Sequence, residues 1–141
     1  MKPWIAAAFA AGVAVTPALA QERTSAPETA EVYIVSPTDG ATVASPVTVR
    51  FGLSGMGVAP AGVEREVTGH HHLIVNVAPE DVDMAQAVPS DDQHLHFGGG
   101  QTEATLDLPP GEHRLWLLLG DAFHVPHDPP VMSEPIRVTV E

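Results

Sequence analysis

The sequence contains no cysteine. This absence excludes disulfide bonds, thiolate metal sites, cysteine nucleophiles and a lipidated cysteine anchor. Basic residues are also scarce: 6 Lys and Arg stand against 18 Asp and Glu, and the formal net charge is −12. A chain this acidic lacks the cationic surface that nucleic acids require, and anionic membrane surfaces are disfavoured for the same reason.

Motifs of several enzyme classes are missing as well. The chain has no G-x-S-x-G nucleophile elbow, no H-E-x-x-H zinc motif and no Gly-Lys phosphate loop. In contrast, it contains 8 His and 14 Pro. This much proline indicates many turns and few long helices, and the histidines are where chemistry is expected.

The first 20 residues have the pattern of a secretory signal peptide. Lys2 precedes an uncharged run over 4–15, Pro17 breaks this run, and Ala18-Leu19-Ala20 fits a small-x-small cleavage site. The run is shorter than the roughly 20 residues of a membrane-spanning helix, and an uncleaved anchor is the alternative. Cleavage would leave Gln21 first and place the protein in the periplasm or outside the cell, with no membrane contact thereafter.

The rest of the chain predicts one β-sandwich domain. Residues 21–30 are polar and without periodicity, which indicates a flexible leader, and residues 31–141 form the predicted domain. About seven short strands separated by turn residues favour an all-β, antiparallel sandwich of immunoglobulin-like or cupredoxin-like type. At most one short helix is expected, over 79–88. The predicted strands are 32–35, 47–52, 70–77, 94–97, 102–108, 113–119 and 136–141.

Seven of the histidines fall into three clusters, and two of the clusters lie on predicted strands. Because side chains alternate along a strand, His70 and His72 share one face, as do His94 and His96. Two such pairs on neighbouring strands would offer four imidazoles to one metal ion. His113, which no ligand spacing flanks, is expected to be solvated.

The third cluster lies in the proline-rich segment 120–130, at one end of the sandwich. Its His124 and His127 either complete this metal site or form a second one. Three glycines, 98–100, directly follow His96 and predict either a plain turn or a backbone-lined part of the site. Further candidate ligands are His71, on the opposite face of its strand, and the thioether of Met56. Asp121 and Asp128 are expected either to bind the metal or to orient a ligand ring.

Three segments resemble a family of small secreted bacterial proteins that is catalogued as a domain of unknown function. They are GHHHLI over 69–74, HLHFGGGQT over 94–102 and HVPHDPPV over 124–131. Residues 54–62 fit the same pattern, and the similarity spans about 32–140. The resemblance implies no particular reaction. That family often carries a further polar residue or histidine where this chain has Ala122-Phe123.

The sequence therefore predicts a periplasmic, histidine-rich, non-enzymatic metal-binding protein that carries or sequesters its ion. Copper is the first choice because imidazole sites follow the Irving–Williams order, and zinc is close behind. The alternative is an immunoglobulin-like interaction module whose histidines are structural or sense pH. A metal-dependent enzyme is a third hypothesis, for which no residue stands out as general base. The expected partner is a metal ion, and no protein partner is indicated.

Overall fold

The computed structural model describes residues 22–141, so the predicted signal peptide lies outside the described residues. Seven strands longer than two residues follow the predicted strand segments, which confirms the all-β prediction. Two strands of two residues each are additional. In chain order the elements are β1 (Glu31–Ser36), β2 (Thr42–Val43), β3 (Val47–Ser54), β4 (Gly57–Val58), β5 (Thr68–Val75), a 3₁₀ turn (Pro79–Asp81), β6 (His94–His96), β7 (Glu103–Leu106), β8 (Gly111–Gly120) and β9 (Ile136–Val140).

The strands form two sheets that face each other as a β-sandwich. A three-stranded sheet has the order β1-β3-β7, and a six-stranded sheet has the order β2-β9-β8-β5-β4, with β6 also paired to β5. Neighbours are antiparallel except for the two shortest strands, since β2 runs parallel to β9 and β4 parallel to β5. Strands β5, β6 and β8 therefore lie side by side and can present their side chains to one surface.

The hydrophobic core lies between the two sheets. Val49 and Phe51 of the small sheet pack with Leu73, Leu117 and other buried residues of the large sheet. Strand β8 is apolar on both faces, as a central strand should be. Its odd-numbered residues from 115 to 119 enter the core, while its even-numbered residues point to the opposite, outer face of the large sheet.

Loops cover that outer face. Ile74, Trp116 and Leu118 are fully buried there beneath Val88, in a second and smaller apolar cluster. The indole N–H of Trp116 donates to the carbonyl of Val77 at 2.8 Å, which fixes the covering loop to the sheet. Side chains on the outer face of β5 are consequently removed from solvent although they lie outside the main core.

The segment predicted as a short helix, 79–88, forms only the single 3₁₀ turn. The backbone becomes extended at Val82, and the Asp83 carboxylate accepts the N–H of Ala85 at 2.9 Å. This local bond offers the backbone an alternative to helical pairing and ends the helix. In the part of the chain that the structure describes, no helix is long and apolar enough to span a membrane.

The described part of the predicted flexible leader, residues 22–30, lies against the loop that follows β8. Ala26 N–H donates to the Asp128 carbonyl, and Asp128 N–H donates to the Thr24 carbonyl. The guanidinium of Arg23 donates to the carbonyls of Pro126 and His127. These bonds attach the segment to the loop that carries the third histidine cluster.

Candidate metal centre

Strand β5 places its three consecutive histidines on alternating faces. His70 and His72 lie on the outer face of the large sheet, in register with Gly120 and Leu118 of β8. His71 lies on the opposite face, where its ring is 5.1 Å from that of Phe51 in the core. All three side chains are 0% exposed, because loops cover the outer face as completely as the second sheet covers the inner one.

Strand β6 brings a third ring to the outer face. His96 pairs directly with His72, and His94 pairs with Ile74. Directly opposite residues of an antiparallel pair share a face, so the ring of His96 lies beside that of His72, with 5.2 Å between the ring centroids. The strand register therefore joins one histidine of β6 to the two outer-face histidines of β5.

A tight loop after β8 supplies the fourth ring. The Asp121 carboxylate accepts the backbone N–H groups of Phe123 and Val125 at 2.9 and 3.0 Å, and the hydroxyl of Thr24 at 2.8 Å. His124 lies inside this turn at φ 67°, an uncommon left-handed conformation for a residue other than glycine. Asp121 thus shapes the backbone that projects His124 over the sheet.

The four rings converge on one point. One ring nitrogen from each of His70, His72, His96 and His124 lies within 4.8 Å of the others. The closest recorded pair is His70 Nε2 and His124 Nδ1, at 3.1 Å. Among the described residues this is the one group of three or more His, Asp or Glu side chains with the spacing of a metal site.

Two glycines, which have no side chain, make room for the rings of His72 and His96. A Cβ atom on Gly120 would lie 2.6 Å from Cε1 of His72, and one on Gly98 would lie 2.6 Å from Nε2 of His96. Both distances are shorter than any tolerated carbon contact. Gly98, the first of the three glycines after β6, therefore lies against a ring of the site and is also part of a turn.

Several nitrogens of the group have no hydrogen-bond partner. Nδ1 of His70 and both ring nitrogens of His72 are buried and unpaired. Unpaired buried polar atoms carry a desolvation penalty of about 1–3 kcal/mol each, so a folded protein rarely retains them without a function. A metal ion takes one nitrogen from each ring, so coordination would satisfy one of the two unpaired nitrogens of His72.

Three rings of the group, those of His70, His72 and His96, are kept neutral, which is the state that binds metals. Burial, followed by the proximity of His124 and His96, lowers the pKa of His70 to about 4. Burial, followed by the neighbouring histidines, lowers the pKa of His72 to about 3. Burial and His124 also lower the pKa of His96. Protons do not compete with a metal ion for these nitrogens at neutral pH.

Two of the predicted ligands lie outside the group. His94 shares a face with His96 but lies two residues before it, at the start of β6. Its Nδ1 is 2.8 Å from the Asp91 carboxylate. His127 is fully buried and donates from Nε2 to the carbonyl of Thr68 at 3.2 Å. The pairing of β5 with β6 and the conformation of the covering loop decide these positions. Neither can be predicted from the spacing of the histidines in the sequence.

The further candidates have other surroundings. His71 lies in the core with both nitrogens unpaired, and burial lowers its pKa to about 4. Met56 packs against the main core, and Asp128 is exposed with an oxygen 3.8 Å from the Arg23 guanidinium. Asp121 is a positioning residue for the loop of His124.

His113, expected to be solvated, is buried instead. The Asn76 carbonyl oxygen accepts the N–H of Arg114, so the amide nitrogen of Asn76 donates to His113 Nδ1 at 3.0 Å. His113 Nε2 then donates to the Pro109 carbonyl at 2.7 Å. With both nitrogens satisfied, His113 is a structural residue that links three segments.

The comparisons with known proteins give a family and no activity. A family described as a domain of unknown function, DUF4399, matches residues 49–141. The chain belongs to this family. The matched region contains all four histidines of the group, and the expected membership of a domain of unknown function is confirmed. Among curated proteins and among solved structures, none matches the chain significantly.

Proposed function

We propose that this protein binds one transition-metal ion, copper, through His70, His72, His96 and His124, and that it carries or sequesters this ion in the periplasm or outside the cell. The observation that carries the proposal is the convergence of one ring nitrogen from each of the four histidines within 4.8 Å of the others. The two nitrogens of the buried His72 have no hydrogen-bond partner. Imidazole is the commonest protein ligand for such ions. Among divalent ions, copper is favoured over zinc at imidazole sites by the Irving–Williams order.

A binding role is better supported than an enzymatic one. A hydrolytic metal site keeps an open coordination position and a general base near the metal. The described group consists of four histidines and no carboxylate, and the nearby Asp121 carboxylate is engaged by three donors. Metal sites with four protein ligands have no open coordination position for a substrate, which is typical of non-catalytic sites.

The alternative of an interaction module with structural or pH-sensing histidines has less support. A structural hydrogen-bond network would pair its buried nitrogens, as His113 does. In the group, only the pair of His70 and His124 lies within hydrogen-bond distance. Buried histidines outside the group, His71 and His127, also have unpaired nitrogens. The feature that favours a ligand is therefore the convergence of four rings, which a completed network does not require.

Calorimetric titration of the purified chain, without a histidine tag, tests the proposal with Cu(II) and Zn(II) separately. Strand β6 offers a matched pair of variants: His96→Ala removes a ring of the group, and His94→Ala removes its neighbour on the same face. We expect one ion per chain, a loss of affinity in His96→Ala and unchanged affinity in His94→Ala. Equal affinities in all three proteins would overturn the proposal. Recovery of a periplasmic form that begins at Gln21 would test the compartment.

A further inference from the structure

The four rings surround their common point in three dimensions. His70, His72 and His96 stand on the outer face of one sheet, whereas His124 descends from a loop above it. The ring planes of His70 and His72 are inclined to that of His124 by 85° and 82°. The six separations between ring centroids run from 4.4 to 5.9 Å.

These separations match a tetrahedron. Metal–nitrogen bonds of about 2.0–2.1 Å place each ring centroid about 3.2 Å from the ion, so a tetrahedral site has six centroid separations of about 5.2 Å. A square site has four of about 4.5 Å and two diagonals of about 6.4 Å, and the two diagonals share no ring. Here the longest separation is 5.9 Å, between His72 and His124. The separation between the other two rings, His70 and His96, is only 5.0 Å, so the group lacks the second long diagonal of a square.

The centroid separations scatter around the tetrahedral value, and the ring nitrogens lie within 4.8 Å of one another. A tetrahedral ion brings its nitrogens to about 3.3 Å from one another. Binding would therefore require the rings to turn so that one nitrogen of each faces the ion.

The protein opposes flattening of the group into a square. Ala61 N–H donates to the Gly98 carbonyl at 2.8 Å, and Gly62 N–H donates to the Ala122 carbonyl at 2.9 Å. One loop is thereby bonded to the segment after His96 and to the turn that carries His124. A planar arrangement would require His124 to descend into the sheet face, where Leu118 and the other outer-face residues are already closely packed.

We propose that the group holds copper as Cu(I). The inference rests on the proposed function and specifies the form of the ion. Cu(I) and Zn(II) have filled d shells and accept the tetrahedral geometry that the chain imposes, whereas Cu(II) favours tetragonal coordination. Zn(II) is thus the natural competitor of Cu(I), and Cu(II) occupies the site in a distorted geometry.

Two titrations of the whole chain test this inference. Cu(I) affinity is measured anaerobically against a chromophoric Cu(I) chelator, and Cu(II) affinity is measured by calorimetry and electron paramagnetic resonance. We expect Cu(I) to bind at least tenfold more tightly than Cu(II), and each factor of ten raises the one-electron reduction potential by about 59 mV relative to aqueous copper. Tighter binding of Cu(II), with a tetragonal resonance spectrum, would overturn the inference and leave the proposed function intact. Absence of binding in both titrations would overturn both.

A pair of variants isolates the geometry from the number of histidines. His124→Ala removes the one ligand above the sheet, so a water molecule can take its place and Cu(II) can approach its favoured geometry. We expect this variant to lose more affinity for Cu(I) than for Cu(II) and its potential to fall. His94→Ala removes a histidine from the same protein without touching the group and should keep the potential of the unaltered chain. Equal losses for the two oxidation states in His124→Ala would refute the role of tetrahedral geometry.

Discussion

Gly98→Ala is expected to damage the metal centre while leaving the fold intact. Gly98 does not have positive φ, so alanine suits its backbone. The new methyl carbon would overlap Cε1 and Nε2 of the His96 ring, and Nε2 would lie 2.6 Å away, about 1 Å less than an ordinary contact. It would also lie 3.2 Å from Cβ of Ala61, a milder contact that a small shift of the loop relieves. The exposed ring of His96 can turn away, and this movement relieves the overlap at little energetic cost.

The displaced ring can no longer serve as a ligand. Coordination distances tolerate deviations of only about 0.2 Å, and a shift of about 1 Å far exceeds this. Changes to groups that orient a ligand typically reduce metal affinity by about 10–100-fold, which corresponds to about 1.4–2.7 kcal/mol of binding free energy. Stability of the metal-free chain should change by less than about 1 kcal/mol, since replacement of glycine by alanine at a permitted backbone also restricts the unfolded chain.

The matched control is the next residue. A Cβ on Gly99 would approach only the exposed side chain of Gln101, at 3.1–3.2 Å, and the backbone there also permits alanine. Calorimetric titration with Cu(II) and Zn(II) should show the loss in Gly98→Ala and none in Gly99→Ala, with urea unfolding of the metal-free proteins as the check on stability. Full affinity in Gly98→Ala would refute the assignment of His96 as a ligand held against this glycine.

Four further outcomes are expected. First, the metal-free chain should lose stability as the pH falls below about 6.5, because residues 70–72 bind protons when unfolded but stay neutral when folded until about pH 3–4. His71 alone contributes about 3 kcal/mol to this loss between pH 7 and pH 4, and a flat profile in urea unfolding would contradict its burial as a neutral ring. Second, His71→Leu should raise the free energy of unfolding by about 1–3 kcal/mol at pH 7 and reduce the pH dependence, since it removes two unpaired nitrogens; a lower urea midpoint would show that they have partners. Third, His113→Ala should lower the free energy of unfolding by about 2 kcal/mol without changing metal affinity, and weakened binding would show that His113 is coupled to the site. Fourth, metal at 100 times its Kd should stabilise the unaltered chain by about 2.7 kcal/mol, and a chelator should remove this gain; an unchanged urea midpoint would contradict binding to the folded state.

The local pattern of residues was sufficient to predict the fold class and the positions of the longer strands. Alternation of apolar and polar residues located most of them, β-branched residues indicated β1, and a run that is apolar on both faces indicated β8. Alternation also placed His70 and His72 on a face opposite to His71 and Leu73. These inferences depend on no contact between distant parts of the chain.

The membership of the group depends on long-range register, which periodicity leaves open. A shift of two residues between β5 and β6 would keep every side chain on its face and place His94 rather than His96 beside His72. Loop conformation likewise separates His124 from His127: the Asp121 carboxylate folds the turn so that one ring enters the group and the other packs beneath Thr68. Neither outcome is encoded in the spacing of the histidines.

Burial was the other property beyond sequence reasoning. The polar pattern of the outer face suggests solvent contact, but separate loops cover this face and leave His70 and His72 inaccessible. For His113 the decisive partners are Asn76 and the carbonyl of Pro109, which approach from other segments. Covering segments of this kind have no signature in the strand that they cover.

The candidate ligands come from three stretches of chain that are far apart in sequence, β5, β6 and the turn at His124. An ion bound to all three would act as a cross-link in a protein that has no disulfide. Cross-links that close long segments restrict the unfolded ensemble, and the stretches between the ligands are long. Release of the ion would therefore free these segments together, and the first places to open to proteases and to hydrogen exchange would be β6 and the turn that carries His124.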